Sequence, residues 1–322
     1  MHKVYDMWPE IARKSYNSRL EPVDFQDIDH IIFAGMGGSG AIGDLFASIL
    51  SKNNIHVSLV KGYLLPKTVD KNTLIVTTSV SGDTVETLTV LDSAKKLDCN
   101  IIAFSSGGKM EKFCANNQIN YRKIEFIHSA RASFVNFSFS IMHVLNSILP
   151  IEKNHISETI DDLSKIQKQI HSQNLSDTNP AIDLANFVSG IPLIYYPHGL
   201  QSAATRFKSS IQENAKKHAI IEDVVEACHN GIVAWEKSSI IQPILLRGHD
   251  DFIKTKERFE IIKEYFAKNN IKYKEVHSVS GNILSKIITL IYLLDYTSIY
   301  RAILSEIDPT PVSSITFVKS KM

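Results

Sequence analysis

The sequence predicts an α/β protein made of two doubly wound, parallel-sheet halves with flanking helices. Three observations lead there. Short apolar segments alternate with stretches of helical spacing, two glycine- and serine-rich turns each join an apolar segment to a helix start, and the alternation restarts at Ile191. The 322 residues suffice for two domains of about 150 each with a substantial core.

In order, Met7 to Ser18 reads as an N-terminal helical segment. Ile31–Ala34, His56–Val60, Leu74–Thr77 and Asn100–Phe104 read as strands, with helices from Ala41 to Leu50 and from Val85 to Lys96. Such alternation implies a parallel sheet covered on both faces. The apolar stretch from Ala132 to Leu149 reads as a closing helix, giving a first domain over 1–150. Residues 151–180, rich in Lys, Gln, Ser and Asp, read as a helical connector ended by Pro180. The second domain, 181–322, restarts with a strand at Ile191–Tyr196 and a helix from Ala203 to Lys217. Strands at Ile240–Leu246 and Ile271–Val276 flank a helix from Ile253 to Ala267. Ile283 to Leu304 is apolar enough to be mistaken for a membrane span, but Lys286, Asp295 and Arg301 interrupt it, which suits a buried core helix.

The turns Gly35-Met36-Gly37-Gly38-Ser39-Gly40 and Ser79-Val80-Ser81-Gly82-Asp83-Thr84 read as a phosphate cradle, because unpaired N–H groups and the helix dipole favour an anion at a helix start. A dinucleotide site is the rival, since Gly35, Gly37 and Gly40 satisfy G-x-G-x-x-G. That site wants an acid about 20 residues on. Here no Asp or Glu occurs between Asp44 and Asp70, and the strand ending at Val60 runs into Lys61. Ser79, Ser81 and Thr84 crowd three hydroxyls at one helix start, where Asp83-Thr84-Val85-Glu86 resembles a capping box. One such hydroxyl is a cap; three with a matching upstream turn favour a phosphomonoester. The corresponding second-half turn has only Gly199, which predicts that its phosphate binding is lost.

These two turns, followed by Ser105-Ser106-Gly107-Gly108-Lys109, resemble the sugar isomerase (SIS) domain. Glu213-Asn214-Ala215-Lys216, His229-Asn230, Asp308-Pro309-Thr310-Pro311-Val312 and Lys319 resemble the bifunctional phosphoglucose/phosphomannose isomerases, in the family's order. The resemblance implies two SIS-type domains and interconversion of glucose 6-phosphate, and mannose 6-phosphate, with fructose 6-phosphate through ring opening and an enediol. It implies phosphate binding by Gly37, Gly38, Ser39, Ser79, Ser81 and Thr84, with no metal and no cofactor. It also implies a homodimer in which His229 comes from the neighbouring subunit.

The catalytic assignments follow the resemblance. Glu213 is the candidate base moving a proton between C1 and C2; by helical position alone it reads as a surface glutamate paired with Lys216 or Lys217. His229 is the candidate for ring opening, its bland alternative being a structural histidine; Gly231 stands where family members have glutamate. Arg131 is the candidate for stabilising the enediolate, its alternative an exposed helix-start arginine; Ala130 replaces the usual proline before it. Lys319 would otherwise read as a solvated tail lysine and is implied to assist ring opening or hold a sugar hydroxyl. A noncatalytic sugar-phosphate sensor on the same fold would need the cradle without Glu213, His229 and Lys319 together. The isomerase half of a glucosamine-phosphate synthase would accompany an N-terminal cysteine nucleophile, and residue 2 is His2.

A net charge of +1, from 35 basic and 34 acidic side chains, provides no field to recruit nucleic acid or a membrane. Cys99, Cys114 and Cys228 are too few and too scattered for a disulfide framework or zinc site and suit a reducing compartment. With no signal-like apolar stretch at the N-terminus, a cytoplasmic protein acting on small sugar phosphates is expected.

Overall fold

The computed structural model describes residues 1–321. The chain divides into two compact units, one made of Met7–Asp161, the other of Met1–Asp6 together with the chain from Asp162 onward. A short helix α1 (His2–Asp6), not expected from the sequence, precedes α2 (Trp8–Tyr16), which falls within the helical segment expected over Met7 to Ser18. The chain then runs β1 (His30–Ala34), α3 (Gly37–Leu50), β2 (His56–Val60), β3 (Thr73–Ser79), α4 (Val85–Ala94), β4 (Asn100–Ser105), α5 (Gly108–Asn116), β5 (Asn120–Lys123) and α6 (Phe134–Val144).

These five strands form an all-parallel sheet of order β2-β1-β3-β4-β5. Every residue of β1 and β3 is buried, as expected of central strands covered on both faces by crossover helices. β1 leads outward through α3 to β2, whereas β3 leads the other way through α4 to β4. The chain therefore reverses direction between β1 and β3, and the loops at their carboxyl ends are the two glycine- and serine-rich turns. That is the place where doubly wound sheets bind ligands.

The division between units falls within α7 (Lys153–Ile170). Pro180 opens α8 (Pro180–Phe187), with Asn179 capping the amides of Ala181 and Ile182. There follow β6 (Ile191–Tyr196), α9 (Gln201–Ala215), β7 (Ile220–Asp223), α10 (Val224–Ala227), β8 (Ile241–Arg247), α11 (Ile253–Lys268), β9 (Lys274–His277), α12 (Ile283–Leu304) and α13 (Ser313–Lys319). The second sheet is also all-parallel, in the order β7-β6-β8-β9, with its reversal between β6 and β8. β5, β7 and α13 are elements that the hydrophobic pattern does not reveal.

Among the described residues, α12 is the one helix long and apolar enough to cross a membrane by composition, and 83% of its most apolar window is buried. Its three charged interruptions are all engaged. Lys286 pairs with Asp250, Asp295 with Arg206, and Arg301 bonds Ser305 and the carbonyl of Ala185. The three cysteines are free thiols; burial pushes Cys99 and Cys114 up to about 11.

Candidate active site

In the first unit, α3 and α4 both begin without a side-chain cap on their N-terminal amides. For helices of 14 and 10 residues starting at the carboxyl edge of a sheet, this leaves N–H groups directed at a prospective anion. The expected capping box is absent for a definite reason: the Thr84 hydroxyl pairs with Ser79 Oγ at 2.9 Å, and Asp83 Oδ1 instead accepts from Lys109 N at 2.9 Å, in the first turn of α5. Asp83 thus braces the next loop.

The turns are pinned to one another. Ser39, buried at 6% exposure, accepts from Val80 N at 3.1 Å, so its hydroxyl ties the first turn to the second and retains its own proton for donation. Ser79 Oγ accepts from Gly82 N at 3.1 Å, while Ser81 is exposed and accepts from Asp83 N. The third loop joins through Ser106 Oγ, which donates to Val80 O at 2.6 Å. Gly82 is obligatory here: its φ is +76°, and a Cβ would sit 1.8 Å from the Gly107 carbonyl.

Arg131 belongs to the same constellation. A Cβ on Gly38 would approach Ala130 O at 3.1 Å and Arg131 N at 3.4 Å, so the segment before α6 packs directly on the first turn. Arg131 is 5% exposed, which removes the alternative of a solvated helix-start arginine. Its backbone thus lies against the uncapped start of α3. At the end of β2, Lys61 pairs with Asp44 at 2.6 Å, leaving an ammonium where a dinucleotide site would present a carboxylate to a ribose.

In the second unit, Glu213 sits half-buried in the last turn of α9. Among its neighbours, Lys217 Nζ donates to Ser189 O, and Lys216 Nζ to the Glu213 main-chain carbonyl. Glu213 contributes to the field around Arg206. Burial alone would depress the Arg206 guanidinium, but Asp295, Tyr5 and Glu213 hold it above its ordinary value. Arg206 and Asp295 form a buried ion pair at 2.7 Å, and Asp295 also accepts from Ser210 Oγ and the Tyr5 hydroxyl. Asn214 Nδ2 donates to Ser298 Oγ at 2.8 Å. Positions 206, 210 and 214, spaced one helical turn apart, thereby clamp α9 to α12 and set the angle of the turn that carries Glu213. This clamp is absent from the sequence reading; Asp295 inside an apolar run and Arg206 two turns before Glu213 are its only sequence signals.

His229 follows α10 and is exposed, its N–H bonded to Glu226 O. Lys319 ends α13, a helix without a buried side chain. The space beside Gly231 is filled by Glu222, whose Oε1 would lie 2.2 Å from a Cβ there. Partial burial and the neighbouring Glu226 push the Glu222 carboxyl up. The structure thus gathers Gly37, Gly38, Ser39, Ser79, Ser81, Thr84 and Arg131 in the first unit, and places Glu213, His229 and Lys319 on three separate segments of the second. Among the described residues, no cluster of three or more His, Cys, Asp or Glu has a metal-holding arrangement.

Comparison with known proteins identifies the two domains and the family. Residues 24–144 match the SIS domain, and residues 177–322 match the bacterial phospho-glucose isomerase C-terminal SIS domain. A bifunctional phosphoglucose/phosphomannose isomerase from Caldicellulosiruptor bescii is 31% identical, covering 99% of this chain and 97% of its own. The chain belongs to that family. A second bifunctional phosphoglucose/phosphomannose isomerase, from Aquifex aeolicus, is 25% identical over 98% of this chain and 94% of its own. Among solved structures, a hypothetical protein from Thermus thermophilus shares the fold with a TM-score of 0.78 at 12% identity, covering 98% of this chain and 88% of its own.

Proposed function

We propose that this family member interconverts glucose 6-phosphate and mannose 6-phosphate with fructose 6-phosphate, as a cytoplasmic homodimer in carbohydrate metabolism. The observation carrying the substrate class is the pair of uncapped helix starts at the switch point, locked together by the Ser39–Val80 bond. Backbone amides there, with the hydroxyls of Ser39, Ser79, Ser81 and Thr84, hold the phosphate and leave the sugar carbons to the remaining groups.

Ring opening requires a proton to reach the ring oxygen, the role of His229, with Lys319 assisting or holding a hydroxyl. Glu213 then removes the proton from C2 of the aldose and returns it at C1 while the hydroxyl proton passes from O2 to O1, which produces the ketose through an enediolate whose oxygen Arg131 stabilises. Glucose and mannose phosphates differ only in configuration at C2, so both collapse to the same enediolate. His229 is contributed by the neighbouring subunit, in keeping with its exposed place after α10. The deciding experiment incubates purified protein with fructose 6-phosphate and resolves the aldoses. Both glucose 6-phosphate and mannose 6-phosphate should form, and the absence of either overturns the dual activity.

A further inference from the structure

We infer that Lys216 is the positioning residue that clasps the C-terminal tail onto the end of α9. Its backbone is left-handed, with φ of 54°, and its N–H closes α9 on Ile211 O. The ammonium donates at 2.5 Å to the main-chain carbonyl of Glu213 and at 2.6 Å to the carbonyl of Pro311. One cation therefore holds two carbonyls 98 residues apart in the chain, one at the base-bearing turn and one at the entry to α13.

The turn before α13 is shaped to receive it. Asp308 Oδ1 accepts from Thr310 N at 2.8 Å, folding the chain at Asp308-Pro309-Thr310-Pro311, and the positive charge of Lys216 helps to keep the Asp308 carboxyl low after that hydrogen bond. α13 itself buries no side chain, and Ile315, Phe317 and Val318 remain 41%, 64% and 56% exposed. With so little apolar burial, the tail's position depends on polar ties made at its base. Its functional weight rests on the reading above, in which Lys319 at the far end of α13 acts on the sugar.

The left-handed backbone makes the test clean. Lys216→Gly and Lys216→Asn both suit a positive φ and both remove the ammonium, so the folded state should keep its Tm or gain slightly. Hydrogen exchange followed by mass spectrometry should nevertheless show amides of residues 312–320 exchanging at least about tenfold faster, with those of α12 unchanged. The kcat should fall toward that of Lys319→Ala, and the double variant Lys216→Gly/Lys319→Ala should be no slower than Lys319→Ala alone. Wild-type exchange in the tail of both Lys216 variants would overturn the clasp. A loosened tail with wild-type kcat would uphold the clasp and overturn the role of Lys319 instead.

Discussion

Three hydroxyls at one helix start do different work, and only the contacts separate them. Ser79 and Thr84 bond one another and Ser79 also braces Gly82, whereas Ser81 is exposed with its proton available. Replacing Ser79 and Ser81 together by Ala should raise KM strongly in steady-state assays, since charge-assisted bonds contribute about 1.5–3 kcal/mol each. An unchanged KM in the folded variant would refute phosphate binding there. Gly231 poses the opposite question, because the resemblance implies a glutamate at that position. Glu222 already occupies the adjacent space, with Glu226 close enough to raise its pKa. Gly231→Glu should therefore displace Glu222, crowd three carboxylates and lower stability by about 1 kcal/mol in urea denaturation. Adding Glu222→Gln should recover most of that loss; no recovery would mean that the cost lies elsewhere.

Elements are held by charges that packing alone would exclude. The α9–α12 contact contains Arg206 and Asp295 at 2% and 0% exposure, so Asp295→Asn leaves a guanidinium buried without its counter-charge. A loss of about 3–5 kcal/mol is expected by chemical denaturation, with much of it restored by the apolar pair Arg206→Met/Asp295→Leu. At the amino edge of the first sheet, His30 bonds Ser58 and Thr73 while its ring lies 4.7 Å from that of His56. Burial first, and His56 second, hold the His30 imidazole below its ordinary 6.5, although Asp70 and Asp29 pull the other way. The unfolded chain then binds more protons in the interval between the folded and unfolded pKa values. Stability is fully present above the ordinary imidazole range and declines as pH falls through and below it. Denaturation midpoints measured from pH 7.5 downward should show that decline in the native protein and a shallower one in His30→Asn.

At the scale of the molecule, the proposed sharing of His229 between subunits makes a prediction that no single-chain site can match. Glu213→Gln and His229→Ala subunits, each inactive alone, are mixed and allowed to exchange. A mixed dimer then has one site with both lesions and one with neither. Equal random reassortment makes about half the dimers mixed, so roughly a quarter of wild-type activity should return. Activity that stays at the floor after mass-tagged chains have verified exchange would place both residues within one chain.

The sequence by itself determined the alternation of elements, the two turns at the first switch point and the full extent of α12, because each is a local pattern of apolar spacing or glycine placement. β2 and β6 agree residue for residue with that pattern. It could not reveal β5, whose residues Asn120–Lys123 are polar and only partly buried, nor β7, since a short edge strand is defined by its neighbour and not by its own periodicity. Only the tertiary structure decided that Thr84 pairs with Ser79 instead of capping α4, that Asp295 neutralises Arg206, and that Lys216 reaches Pro311. In each case the partner is chosen by which groups the fold brings within hydrogen-bonding distance, and two of those partners are separated by more than eighty residues of chain.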